Sequence, residues 1–170
     1  MLTARSLITV QSACIADAPA IAEVAKLSWH NAYTAIIPHM HLEKMIKRRG
    51  MAYWRLAIRS RDAVSVLRFD GSIVGYAICG NSRFDPKYQG EIYELYILPE
   101  YQGVGLGEFL FEACRHTLDE RSMRGLIVWC LAENTQAFGF YKRRGGVRVA
   151  ERYEALGGAQ LEKIAFAWDH

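Results

Sequence analysis

The sequence predicts an α/β fold of the α+β kind, one domain over residues 1–170 built on a mixed, mostly antiparallel central sheet flanked by helices. Three observations predict it. Two strand-like runs, residues 63–69 and 73–80, flank Asp70-Gly71, a strong two-residue hairpin signal. Over residues 91–131 a strand, a glycine-rich turn, a helix and a second strand follow one another. That order is a β-α-β crossover, which makes its two strands parallel neighbours and its hand right-handed. Finally, residues 147–154 and 160–168 read as a pair of strands around Gly157-Gly158. With 170 residues, 51% of them hydrophobic and 23% charged, the chain has the makeup of a soluble globular domain with a single core.

The remaining elements follow in order. Residues 7–14 alternate loosely and read as a first strand. Asp17 as N-cap and Pro19 in the first turn start a helix that runs through Ile21, Val24, Ala25 and Leu27 to about residue 33. Pro38 ends that run. A second helix over about 39–49 carries Leu42, Met45 and Ile46 on one side and Lys44, Lys47, Arg48 and Arg49 on the other. The basic side reads as a solvated face, with a phosphate or partner contact as the alternative. Residues 54–60 are ambiguous. Residues 81–90, with Pro86 and Gly90, read as a loop that feeds the strand ended by Pro99, so three successive antiparallel strands are expected. Leu106, Phe109, Leu110, Ala113 and Cys114 recur at helical spacing, and the apolar run 126–131 suits a strand buried on both faces. Asn134 caps a further helix carrying Ala137, Phe138 and Tyr141, and Gly145-Gly146 ends it.

Charge and composition exclude several function classes. A net charge of +3 is too slight to argue for nucleic acid, although it favours the approach of an anionic ligand. No apolar run is long enough to span a bilayer, and residues 1–5 lack the apolar core of a signal peptide, so no membrane association is expected. Cys14, Cys79, Cys114 and Cys130 lie far apart among apolar neighbours and read as free, buried thiols of a reducing, cytoplasmic environment. His39-Met40-His41 has no further ligands at metal-binding spacing, so no metal is expected.

The chemistry concentrates at Gln102-Gly103-Val104-Gly105-Leu106-Gly107. Glycines between a strand and a helix let backbone N–H groups converge, and the helix N-terminus points its partial positive charge at the same spot. The turn is therefore built to hold a phosphate. A P-loop would end in Gly-Lys-Ser/Thr, whereas Gly107 is followed by Glu108, and a dinucleotide fingerprint needs G-x-G-x-x-G rather than G-x-G-x-G. The pattern Q-x-x-G-x-G, preceded by Leu-Tyr-Ile-Leu-Pro-Glu-Tyr, resembles the acetyl-CoA motif of the GNAT superfamily of N-acetyltransferases. A second stretch, Asn134-x-x-Ala137-x-x-Phe140-Tyr141-x-x-x-Gly145, is similar to another motif of that family, with Gly146 standing where phenylalanine is usual.

The resemblance implies a GNAT-like domain in which the two central parallel strands splay, and acetyl-CoA as cosubstrate. It implies that the amides of Gly103, Val104, Gly105, Leu106 and Gly107, with the Gln102 side chain, hold the pyrophosphate. The pantetheine arm would pair with the main chain of Leu95, Ile97 and Leu98, with Asn134 and Tyr141 beside it. Tyr141 matches the general acid that protonates the thiolate. For the base, Glu91 falls where several members keep a glutamate, with Glu94 as the alternative. Residues three apart face opposite sides of a regular strand, so only one of the two should enter the cleft unless a bulge intervenes. Trp29, Tyr33 and Ile37, with Tyr93, would line the acceptor pocket, although Trp29 and Tyr33 read equally well as core. The implied reaction is direct attack by a primary amine, of a small molecule or a peptide, in a ternary complex, without Cys130 as nucleophile. A non-catalytic acyl-CoA-binding or regulatory module on the same fold is the alternative, and a homodimer accords with the family.

Overall fold

A computed structural model describes residues 7–83 and 86–170; the signal-peptide expectation for residues 1–5 lies outside them. Strand β1 (Ile8–Ser12) leads through a short 3-10 turn into α1 (Ala18–Tyr33), and α2 (His39–Arg48) and α3 (Met51–Arg59) follow. Strands β2 (Ala63–Phe69), β3 (Ser72–Asn81) and β4 (Gly90–Ile97) form the expected antiparallel run. Helix α4 (Leu106–Glu120) crosses to β5 (Leu126–Leu131), α5 (Thr135–Arg143) comes next, and β6 (Val147–Leu156) and β7 (Ala159–Trp168) close the chain.

The seven strands form one sheet in the order β1-β2-β3-β4-β5-β7-β6. Every neighbouring pair is antiparallel except β4 and β5, which run parallel, as the crossover requires. That pairing covers only Gly90↔Leu126, Glu91↔Ile127 and Ile92↔Val128. Beyond Ile92 the strands part, so the expected splay is present.

Helix α4 packs on one face of the sheet, where Leu106, Leu110, Phe111 and Cys114 meet Leu67, Val74, Ala77 and Ile92. Helices α1 and α3 cover the other face, bringing Ile21, Val24 and Trp54 against Val66, Tyr76 and Ile78. A smaller cluster of Trp29, Tyr33, Ile37, Leu42 and Leu131 joins α1 and α2 to the end of β5. The tip of the β6–β7 hairpin reaches this cluster, where Gly157 lies against His41 and Pro38 so closely that a Cβ would stand 2.7 Å from that of His41.

The structure departs from the sequence reading in four places, the first being Cys14, which is exposed just after the edge strand β1 while the other three cysteines are buried as expected. The ambiguous stretch is helix α3, started at Gly50 without a side-chain cap and anchored by Trp54, whose Nε1 donates to the Arg49 carbonyl at 2.9 Å. Asp17 does not cap α1. Its carboxylate turns back to accept from the Cys14 amide at 2.9 Å and pairs with Arg68 at 2.7 Å, tying the helix start to β2, and these contacts together hold its pKa below the usual value against the upward pull of burial. Arg49 is not part of a solvated face, as described below.

Gly146 has a physical reason. A Cβ there would lie 2.7 Å from the Trp168 ring and 2.9 Å from the Tyr141 carbonyl, so the indole of β7 fills the space beside this residue. Trp168 also packs against Tyr141 and Phe111. Gly146→Ala is expected to lower the stability by about 1–3 kcal/mol through overpacking; urea unfolding measures this, and an unchanged midpoint would show that Trp168 yields freely.

Candidate active site

The parting of β4 and β5 opens a cavity of about 380 Å³. Leu95, Tyr96 and Ile97 line one wall and Val128, Trp129 and Cys130 the other. At one end lies the glycine turn, where Gly103 and Gly105 have φ of +79° and +87°, a left-handed conformation that side chains disfavour. Gly105 is the N-cap of α4 and offers no side chain to the helix amides, and a Cβ on Gly107 would strike the Phe140 ring at 2.8 Å. The amides that start α4 therefore remain open toward the cavity end, the arrangement that receives anions.

Cationic groups stand beside that turn. Arg143 and Arg144 line the cavity. The Arg144 guanidinium lies 3.6 Å over the Phe140 ring, donates through Nη1 to the Phe140 carbonyl at 3.1 Å, and keeps Nη2 within 3.7 Å of Glu108. Its Nε is buried without a hydrogen-bond partner among the described residues. A turn of open amides flanked by this guanidinium fits a polyanion such as the diphosphate of a coenzyme A. Gln102 lines the same end, and its side chain links the turn to the sheet, donating to the Ile97 carbonyl at 2.8 Å and accepting from Gln136 at 2.9 Å. Gly103, Gly105, Leu106 and Gly107 line the cavity, whereas Val104 is exposed outside the lining and Leu98, whose amide donates to the Val74 carbonyl, lies behind it.

Tyr141 faces the middle of the cavity from α5. Asn134, also in the lining, accepts from the Ala137 amide at 3.3 Å and so caps that helix as expected. The Tyr141 ring is gripped by Phe111, Phe140, Phe166 and Trp168, and burial pushes its hydroxyl well above the ordinary tyrosine pKa. Cys130 sits opposite, and burial raises its thiol to about 11, so it is not a thiolate at neutral pH.

A β-bulge governs the other end. Opposite β3, Ile78 pairs with Glu94 and Cys79 with Ile92, leaving Tyr93 as an extra residue in β4. The insertion puts Glu91 and Glu94 on the same side of the sheet, and both are buried. They differ in access. Glu91 lies outside the cavity lining, its carboxylate accepting from the Arg83 amide (3.0 Å), Nε (3.3 Å) and Nη2 (2.9 Å). Glu94 lines the cavity, and burial raises its pKa, with the nearby Arg49 pulling the other way.

Tyr33 and Tyr93 line this end with Ser28, Ala32 and Tyr96, and the Tyr33 and Tyr96 hydroxyls share a 2.5 Å hydrogen bond. Trp29 and Ile37 are core residues behind the wall; Trp29 donates from Nε1 to the Tyr76 hydroxyl at 3.2 Å. Sequence reasoning missed Tyr96, Tyr76, Arg49 and Arg144. An arginine at a helix end next to Tyr53-Trp54 was the available signal for Arg49. Among the described residues no group of three or more His, Cys, Asp or Glu is arranged to hold a metal ion, and no helix is long and apolar enough to cross a membrane.

A glycine turn at a helix N-terminus, feeding a wedge between two parting parallel strands, can seat the phosphate end of a long ligand and take the rest of it along the wedge. Residues 26–146 match the Acetyltransferase (GNAT) family, and the chain belongs to it. It is 30% identical to an uncharacterized N-acetyltransferase, YuaI, of Bacillus subtilis, over 95% of this chain and 93% of that one. Among solved structures it is similar to the PaiA N-acetyltransferase of Thermoplasma acidophilum in complex with coenzyme A, with a TM-score of 0.74 and 18% identity, covering 93% of this chain and 98% of that one. It is also similar to YncA of Salmonella typhimurium, solved with its cofactor acetyl-CoA, with a TM-score of 0.70 and 19% identity over 96% and 94% of the two chains.

The tyrosines of the site set an alkaline limit. Burial holds Tyr76, Tyr96 and Tyr141 well above the ordinary tyrosine value of 10.0 and pushes Tyr33 up to about 12. The unfolded chain therefore loses these protons first, and the stability they contribute is present below about pH 10 and falls as the pH rises beyond it. Phenolate absorbance and circular dichroism, followed together, are expected to show these rings ionising only as the chain unfolds.

Proposed function

We propose that the protein transfers the acetyl group of acetyl-CoA to a primary amine of a small molecule or peptide, by direct attack in a ternary complex. The observation that carries this reading is that Glu94 and Tyr141 face one cavity whose far end is the glycine turn. Acetyl-CoA supplies the activated thioester. The amides of the glycine turn, with Arg143 and Arg144, hold its diphosphate, and the wall of Leu95, Tyr96 and Ile97 guides the pantetheine arm.

An amine with a lysine-like pKa of about 10.4 is protonated at neutral pH and must lose a proton before it attacks. Glu94 is the general base, directly or through a water. It is preferred to Glu91 because it reaches the cavity, and its raised pKa brings it nearer the operating pH of a base. Tyr141 is the general acid. Its high pKa keeps the hydroxyl protonated at neutral pH, so it stands as a hydrogen-bond donor to the departing sulfur, and the proton it gives up is replaced by the one the attacking amine releases. Tyr33 and Tyr93 flank the acceptor, and Trp29 and Ile37 hold that wall from behind. Cys130 stays a thiol, which accords with transfer that does not pass through the protein.

Thiol release from acetyl-CoA is to be measured against polyamines, aminoglycosides, amino acids and N-terminal and lysine peptides. Glu94→Gln and Tyr141→Phe are each expected to lower kcat/KM by about 10²–10⁴-fold. Glu91→Gln is expected to cost stability more than turnover. Gly105→Val, which forces a branched side chain into the left-handed region, is expected to raise the KM for acetyl-CoA without moving that for the amine. Tight acetyl-CoA binding with no turnover of any amine would replace this reading by a binding or regulatory module.

A further inference from the structure

The α2–α3 elbow carries a guanidinium that the reaction just described does not use. Arg49 is the C-cap of α2, and four contacts hold it. Its carbonyl accepts from Nε1 of the fully buried Trp54 at 2.9 Å. Its guanidinium centre lies 4.1 Å from the Tyr53 ring centroid and 5.5 Å from that of Trp29. Its Nε stands 3.5 Å from Oε1 of Glu94. Arg49 is outside the cavity lining whereas Glu94 is within it, so the guanidinium addresses the carboxylate from behind.

A second group converges on the same carboxylate. Tyr76, from β3, accepts from Trp29 Nε1 at 3.2 Å, and its hydroxyl lies near enough to Glu94 to favour the ionised carboxylate. The Tyr76 ring packs on Trp54 and Tyr96, which fixes its position behind the carboxylate.

We propose that Arg49 is a positioning residue for acetyl transfer: clamped between Tyr53 and Trp29, it acts through Glu94, fixing the carboxylate toward the cavity and favouring its ionised, proton-accepting form. The inference rests on Glu94 being the base. Burial alone drives Glu94 toward the neutral acid, which cannot accept a proton, and the cation beside it pulls the other way, toward the ionised state. The other titratable groups facing Glu94 are Arg83 beyond the end of β3, Tyr76 on β3, Tyr33 on α1, Tyr53 on α3 and Tyr96 on β4. The tyrosines are neutral at physiological pH, and Arg83 is committed to Glu91 through both Nε and Nη2. Among the described residues, Arg49 is the cation paired with Glu94, at 3.5 Å. Lysine in its place would keep the charge but lose the flat guanidinium that lies over the Tyr53 ring.

The test reads the carboxylate and the rate separately. Glu94 is titrated in protein carrying ¹³C-labelled glutamate carboxyls, its signal assigned by its loss in Glu94→Gln, and kcat/KM is measured against pH. In Arg49→Met the Glu94 titration is expected to move up by about one pH unit or more, and the acidic limb of kcat/KM to move with it. Activity below the limb then falls about tenfold while the plateau above it and the KM for acetyl-CoA change little. Arg49→Lys is expected to show a smaller shift in the same direction, and it decides the question in the same way should Arg49→Met fail to fold. An unmoved Glu94 titration in either folded variant overturns the inference, as does a loss of rate equal at every pH with a raised KM for the amine. A Glu94 titration that moves while the acidic limb stays where it was overturns the base assignment, and the role of Arg49 in turnover with it.

Discussion

The three-residue parallel contact between β4 and β5 is the constraint on which the site depends. A longer pairing would close the sheet, and no pairing would leave the halves unconnected. The contact stops at Ile92, and the next residue is the bulged Tyr93. A bulge adds local twist and bends its strand, so the irregularity falls at the point where β4 turns away from β5. One extra residue therefore has two effects. It opens the wedge, and it changes the alternation so that Glu91 and Glu94 share a side.

The interior this creates is costly for a charge. Two carboxylates are buried within four residues, and each has its own arginine. The two pairs are not alike. Glu91 is saturated by Arg83 from the loop after β3, a strap that holds the strand near the start of the wedge. Glu94 has a longer contact with Arg49 and keeps access to the cavity. Buried ion pairs add little to stability when desolvation is set against attraction, so the placement of these two is better understood as fixing geometry.

Much of this was legible in the sequence because local chemistry dictates it. Asp70-Gly71 announces its hairpin because both residues take positive φ, here 48° and 87°, and the glycine turn announces itself for the same reason. Asn134 is readable as a cap because its partner lies three residues away. Contacts across the fold were not readable in this way. Arg49 and Glu94 are 45 positions apart, and a lone arginine in a basic run looks solvated until α3 folds back to stack Tyr53 on it. The bulge at Tyr93 has no glycine or proline to mark it. Asp17 looks like a cap by type, but Arg68, 51 residues on, draws it elsewhere.

The two ends of the cavity have different construction. The end with open amides comes from one unbroken stretch, the tail of β4, its turn and α4, joined by α5. The opposite end is a mosaic of α1, the bulged part of β4 and, behind them, the α1–α2 turn held in place by the tip of the β6–β7 hairpin at Gly157. Residues at that tip are remote in sequence from the glycine turn. A lengthened or reshaped hairpin loop can therefore press on or release the α1–α2 turn without disturbing the glycine turn. The scaffold is separable in this sense: one end of the cavity can be recast by surface insertions while the other is inherited intact.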